Sequence, residues 1–160
     1  MLEDLEKQAG EGDVDAQAMV AHMYLNGVDV EENKALAARF YKMAADNGDE
    51  NSAYIYGIMV QDGEGVDVDN EESYKYIKMA ADNGVPEAQE ELGSMLYKGI
   101  GTKKDIDEAM VYYRLAARNG DNFAKATLKS LTPKKSRKWV YAAIVIIAVV
   151  ALFLCKHSNR

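Results

Sequence analysis

Cysteine occurs once in the 160 residues, as Cys155, so no intramolecular disulfide can staple the chain, and a reducing compartment fits it best. Histidine occurs twice, as His22 and His157, which leaves too few ligands for a zinc site of the Cys/His kind and one imidazole, His22, in the first 131 residues to activate a Ser nucleophile. The pattern therefore contains no metal site, no catalytic residue and no cofactor motif. Proline is limited to two positions, so long helices are not interrupted. The first residues, Met1-Leu-Glu-Asp-Leu-Glu-Lys7, are charged and carry no apolar stretch, so they do not read as a secretory signal.

Negative charge is what the last 29 residues lack. All 26 Asp and Glu lie at or before Asp121, 13 Lys and Arg lie at or before Lys129, and the remaining six basic residues follow it. An acidic body repels phosphates, so nucleic acid is excluded as its partner. Length gives room for one domain with an appendage.

What is present is a repeat. Ala44-Ala-Asp-Asn-Gly48 returns as Ala80-Ala-Asp-Asn-Gly84 and as Ala116-Ala-Arg-Asn-Gly120, a spacing of 36 residues. Each unit holds two runs of helical apolar spacing. In the first run Ala16, Val20, Ala21 and Tyr24 correspond to Ser52, Tyr56, Gly57 and Val60, then to Ala88, Leu92, Gly93 and Leu96. In the second, Ala37, Phe40, Tyr41, Ala44 and Ala45 have counterparts through Ala109, Tyr112, Tyr113, Ala116 and Ala117. Asp13 and Asp49 are placed to cap the first helices, with Pro86 at the first helical position of the third. Asn33, Asp69 and Asp105 are placed to cap the second, the last two followed three residues later by Glu72 and Glu108 as in a capping box. The expected helices are 14–26, 50–62 and 86–98, paired with 34–46, 70–82 and 106–118. Residues 2–11 and 120–131 read as half-repeats that cap the ends. A unit that cannot bury its apolar face alone must stack on its neighbours, so the fold class is all-α, an α-solenoid of three repeats at 12–47, 48–83 and 84–119.

These residues resemble the Sel1-like repeat, a relative of the tetratricopeptide repeat, with its loop glycines (Gly63 and Gly65, Gly99 and Gly101) and its Ala-Ala pair ahead of a closing Gly. The first copy departs from the pattern at Asp29, where the second loop glycine is expected. The resemblance implies a superhelical scaffold that binds proteins or peptides, often at membranes. The disulfide of the family's cysteine-rich secreted branch is absent, so no hydrolase activity is carried over from it.

Residues 139–155 contain no charge and are rich in Ile, Val, Ala and Leu; as a helix they span about 25 Å, enough for a short membrane crossing. Lys134, Lys135, Arg137 and Lys138 precede this run in a linker at 132–138, Trp139 and Tyr141 suit the interfacial belt, and Lys156 and Arg160 lie in the tail 156–160. The positive-inside bias places the solenoid in the cytosol. The expectation is a single-pass protein with a C-terminal anchor, tail-anchored in a eukaryote and inner-membrane in a bacterium. Cys155, at the boundary, is a possible acylation position.

The side chains between the repeat's own core positions are the binding candidates. On the first helices these are Ala18, Met19, His22 and Leu25, then Tyr54, Ile55, Ile58 and Gln61, then Glu90, Glu91, Ser94 and Tyr97. The middle set extends an apolar surface around the whole helix and reads either as a groove for an apolar or aromatic partner segment or as extra packing and self-association. The acidic run Asp62, Glu64, Asp67, Asp69, Glu71 and Glu72 lacks the Gly and Glu spacing of a calcium loop and reads as solvated charge and helix capping. The leading function is a non-enzymatic, membrane-tethered adaptor that binds a protein partner through Met19, His22, Leu25, Tyr54, Ile55, Ile58, Glu90, Glu91 and Tyr97. The alternatives are a self-associating, homo-oligomeric structural protein and an enzyme subunit.

Overall fold

In a computed structural model of the chain, residues 1–131 are described, and they carry eight α-helices and no strand: α1 Leu2–Gly10, α2 Val14–Asn26, α3 Lys34–Asp46, α4 Glu50–Asp62, α5 Asn70–Asp82, α6 Pro86–Lys98, α7 Ile106–Arg118 and α8 Asn122–Leu131. The expected membrane run 139–155, its linker and the flanking Lys134, Lys135, Arg137, Lys138, Trp139 and Lys156 lie outside the described residues. Among the described residues no helix is long and apolar enough to cross a membrane. Met1–Leu128 is one compact unit; of the second, Lys129–Arg160, the described part is the last turn of α8.

Helix starts are fixed by their caps. Asp13 accepts from the Ala16 N–H at 2.9 Å, Asp49 from Ser52 at 2.7 Å, Asn33 from Leu36 at 3.0 Å and Asp105 from Glu108 at 2.9 Å. The capping box forms only by half. The N–H groups of Asn33, Asp69 and Asp105 donate to the carbonyls of Tyr24 (2.8 Å), Val60 (3.4 Å) and Leu96 (2.9 Å), so each second helix is tied to the last turns of the first helix in its own repeat. That leaves the Glu72 carboxylate free of its cap, and it accepts instead from Lys42 Nζ at 2.6 Å and the Tyr56 hydroxyl at 3.1 Å. Second helices end in paired reverse bonds: Gly48 N–H donates to Ala45 and Asp49 N–H to Ala44, and the same geometry recurs at Gly84 and Gly120. The residue that completes this turn is the cap position of the next helix, so the joint between repeats has no slack.

Within a repeat the helices approach closely because one of them is bare. A Cβ on Gly57 would lie 2.6 Å from Ile77 Cγ1, and one on Gly93 would lie 2.9 Å from the Tyr113 ring. Ala80, Ala116 and Ala124 are fully buried where helices meet. The paired helices pack this closely because small residues sit where the facing helix brings large ones.

Two polar devices hold successive repeats in register. The first is a ladder on the second helices: Tyr76 donates to Asp46 at 2.6 Å and lies against Lys42, and one repeat later Tyr112 lies against Asp82 and Lys78 in the same way. Burial opposes the charge on Lys42, but its hydrogen bonds to Glu72 and Tyr76 outweigh that and hold its pKa above the ordinary lysine value. The second device is a buried glutamine. Gln17 donates to the Ala9 carbonyl and accepts from Asn47, and Gln89 likewise joins Ala81 to Asn119. The middle repeat has Ala53 at this position, and Asn83 turns back to its own helix at Met79.

The middle repeat also carries Ser52 where its neighbours carry Ala16 and Ala88. The Ser52 side-chain oxygen is buried without a hydrogen-bond partner among the described residues. Ser52→Ala is therefore expected to stabilise the chain by about 1 kcal/mol, read as a higher denaturant midpoint at unchanged slope. A lower midpoint would show that the hydroxyl has found a partner.

A candidate docking groove on the first helices

The α4 helix, ENSAYIYGIMVQD, starts at the Asp49 cap and ends at Gly63. Its inner face, Ser52, Ala53, Tyr56, Gly57, Met59 and Val60, is buried against α5 and α3. Tyr54, Ile55 and Ile58 fall between those positions. All three are half-buried. They do not close over one another. With Leu25 from the last turn of α2, Met59 and Glu64, they line an apolar pocket of about 200 Å³.

The pocket sits between two repeats, and periodicity explains its chemistry. Ala18, Tyr54 and Glu90 occupy one repeat position; Met19, Ile55 and Glu91 the next; His22, Ile58 and Ser94 a third; Leu25, Gln61 and Tyr97 a fourth. Where repeats one and two meet, Leu25 faces Tyr54, Ile55 and Ile58 across the pocket. Where repeats two and three meet, the same geometry joins Gln61 to Glu91, the Gln61 amide donating to its carboxylate at 3.1 Å. One structural position is thus presented twice, apolar and then acidic.

Beyond Glu91 a second cleft of about 170 Å³ is lined by Pro86, Glu87, Glu90, Ala116, Asn119 and Asp121. Burial raises the Glu90 pKa, Asp121 and Glu91 raise it further by repulsion, and Lys98 opposes them. Tyr54 connects the two regions electrostatically: burial raises its hydroxyl pKa, and Glu91, Glu87 and Glu90 add to the effect. Asp121 also caps α8 through the Ala124 N–H. At the other rim Glu64 is held by Lys34 Nζ at 2.9 Å.

Of the nine candidates read from the sequence, Leu25, Tyr54, Ile55 and Ile58 share the apolar pocket, while Glu90 and Glu91 stand beside it on α6. Met19 and His22 are exposed on α2 and line neither cleft. Tyr97 is half-buried, with Lys104 Nζ 5.0 Å from its ring centroid, and lines neither cleft. Ser94 is buried. Sequence reasoning missed Met59, Glu87, Asn119 and Asp121. Met59 had a legible signal, because Met23, Met59 and Met95 recur at the repeat spacing and all three are buried. Among the described residues no group of three or more His, Cys, Asp or Glu is placed to hold a metal ion.

The Sel1 repeat model matches residues 14–49, 51–85 and 86–121. Among solved structures, a Sel1 repeat protein from Oxalobacter formigenes is 39% identical, with TM-score 0.73, over 81% of this chain and 97% of that one. A protective antigen of uropathogenic Escherichia coli with the SLR fold is 31% identical, with TM-score 0.71, over 75% of this chain but only 26% of its own. The cysteine-rich protein B of Helicobacter pylori has TM-score 0.60 at 23% identity over 80% of this chain and 97% of that one, which shows the fold alone. No curated protein matches the chain.

Proposed function

This chain belongs to the Sel1 repeat family, whose solenoid fold is typical of protein–protein interaction modules, and from that premise we propose that it is a non-enzymatic adaptor, tethered to a membrane by residues 139–155, that holds a protein partner at the membrane surface. The observation that carries the binding half is the pocket formed by Leu25, Tyr54, Ile55 and Ile58. Apolar side chains that converge across a repeat boundary and leave a space unfilled are what an anchoring residue of a partner needs. An enzymatic reading has less to stand on: His22 is exposed, Glu91 accepts from the Gln61 amide, and Glu90 stands beside Asp121 and Glu91, whose charges repel its own.

The tether rests on sequence. Seventeen uncharged residues follow four cations and precede two more, and the larger cluster sets the solenoid on the cytosolic side. The full chain is expected to stay with membranes through an alkaline carbonate wash, and protease added outside intact vesicles or organelles is expected to digest the solenoid. Release by the wash would remove the tether, and protection from protease would reverse the orientation.

A further inference from the structure

The pocket and the cleft beside it differ in charge, and the difference specifies the ligand. The apolar side of the boundary, at Leu25, Tyr54, Ile55 and Ile58, contributes no cation, and the next repeat brings Glu91, Glu90 and Glu87 with Asp121 behind them. Among the described residues no Lys or Arg forms an ion pair with these four carboxylates, whereas Glu64 and Glu72 each have one, with Lys34 and Lys42. Glu90 and Asp121 line one cleft and repel each other. Glu90, Glu91 and Asp121 are half-buried and Glu87 is exposed, and Lys98 offsets the repulsion at Glu90 without pairing with it, so the four carboxylates leave a field that a cation entering from outside relieves.

Resting on the adaptor reading above, we propose that the partner is a peptide segment bearing an apolar or aromatic anchor and, a few residues along, lysine or arginine. The anchor fills the Leu25–Tyr54–Ile55–Ile58 pocket. The basic residues lie against Glu90, Glu91 and the Glu87–Asp121 cleft. An extended peptide rises about 3.3 Å per residue, so a segment of a few residues separates anchor from cation. Gln61, which touches Glu91 from α4, shows that the first helices of these two repeats are close enough for one short segment to bridge them.

The test pans a phage-displayed library of random 12-residue peptides against the full-length chain in detergent micelles, with empty micelles as counter-selection. A synthetic peptide carrying the recovered consensus is then titrated against the wild-type chain, a Glu90→Gln, Glu91→Gln, Asp121→Asn variant and a Tyr54→Ala, Ile58→Ala variant. The expected consensus pairs an apolar or aromatic residue with Lys or Arg. Removing the three charges is expected to weaken its binding on the order of five- to tenfold, and raising salt is expected to weaken wild-type binding in the same direction. A consensus without basic residues, or binding indifferent to both salt and the three amides, overturns the charge assignment and leaves the pocket standing. Binding unchanged by Tyr54→Ala with Ile58→Ala overturns the pocket and moves the binding surface off the first helices, and recovery of no consensus at all overturns the pocket and with it the adaptor reading. Because the amides are isosteric and the salt arm uses the unmodified chain, a folding defect in one variant does not mask the result.

Discussion

Replacing Gly101 by Ala is expected to cost about 2–5 kcal/mol of stability, the largest effect of any single methyl group in the chain. Two costs add there. The Gly101 backbone has φ +65, in the left-handed region, and a Cβ built on it would collide with the carbonyl of Asn70 and press on Tyr74. Asn70 is the first residue of α5 in the preceding repeat, so the collision is between backbone and backbone and has no side chain to give way. Gly65 makes the same approach to Lys34 and Ala35 at the start of α3. Gly84→Ala is the control: its φ of +97 imposes backbone strain, but nothing lies within 4 Å of the added carbon. It is expected to cost only about 1–2 kcal/mol. Denaturant unfolding followed by circular dichroism measures both, and equal losses would mean that the loop does not pack on its neighbour.

The first repeat departs from the pattern at the equivalent position. Asp29 holds the place of Gly65 and Gly101, and it adopts the same left-handed backbone, with φ 58. Lys34 stands 31 residues before Gly65, and Asn70 stands 31 before Gly101, so each of these glycines meets a helix start at the same register. Left-handed geometry alone tolerates an aspartate, whereas the close approach does not.

Helix spans were legible because they are decided locally. From α2 to α7 each start has an Asp, Asn or Pro within one residue and each end a glycine within two, and the apolar period between them is set by the chain's own geometry. What the spacing could not show is anything decided between repeats. Glu72 satisfies the pattern of a capping box, yet Lys42, 30 residues earlier, takes its carboxylate. Gln17 and Gln89 are ordinary polar letters that turn out buried, since the carbonyl and amide they join come from two other helices. Likewise the candidate list placed Met19, His22 and Tyr97 with Tyr54 and Ile58 because they share a helix face by count. Only stacking decides which of them meet, and it selects Leu25 for the pocket while leaving Met19 and His22 exposed.

The half-burial of Tyr54 and Ile58 sharpens the test of function. Tyr54→Ala with Ile58→Ala removes two walls of the pocket, and the partner peptide is expected to lose about 1–3 kcal/mol of binding free energy, on the order of 5- to 150-fold in affinity. Some stability goes too, because both side chains cover part of α4. That loss is expected to be smaller than for a fully buried neighbour such as Val60, whose truncation opens a cavity with no route to solvent. Met19→Ala supplies the contrast, as its side chain is 53% exposed and off the pocket, so neither binding nor stability should move. Affinity and unfolding measured on the same preparations separate the two roles. Lost affinity with an intact helical signal assigns these residues to the partner. A double variant that unfolds as readily as a Val60→Ala chain assigns them to the core, and normal capture by a folded double variant moves the binding surface off the first helices.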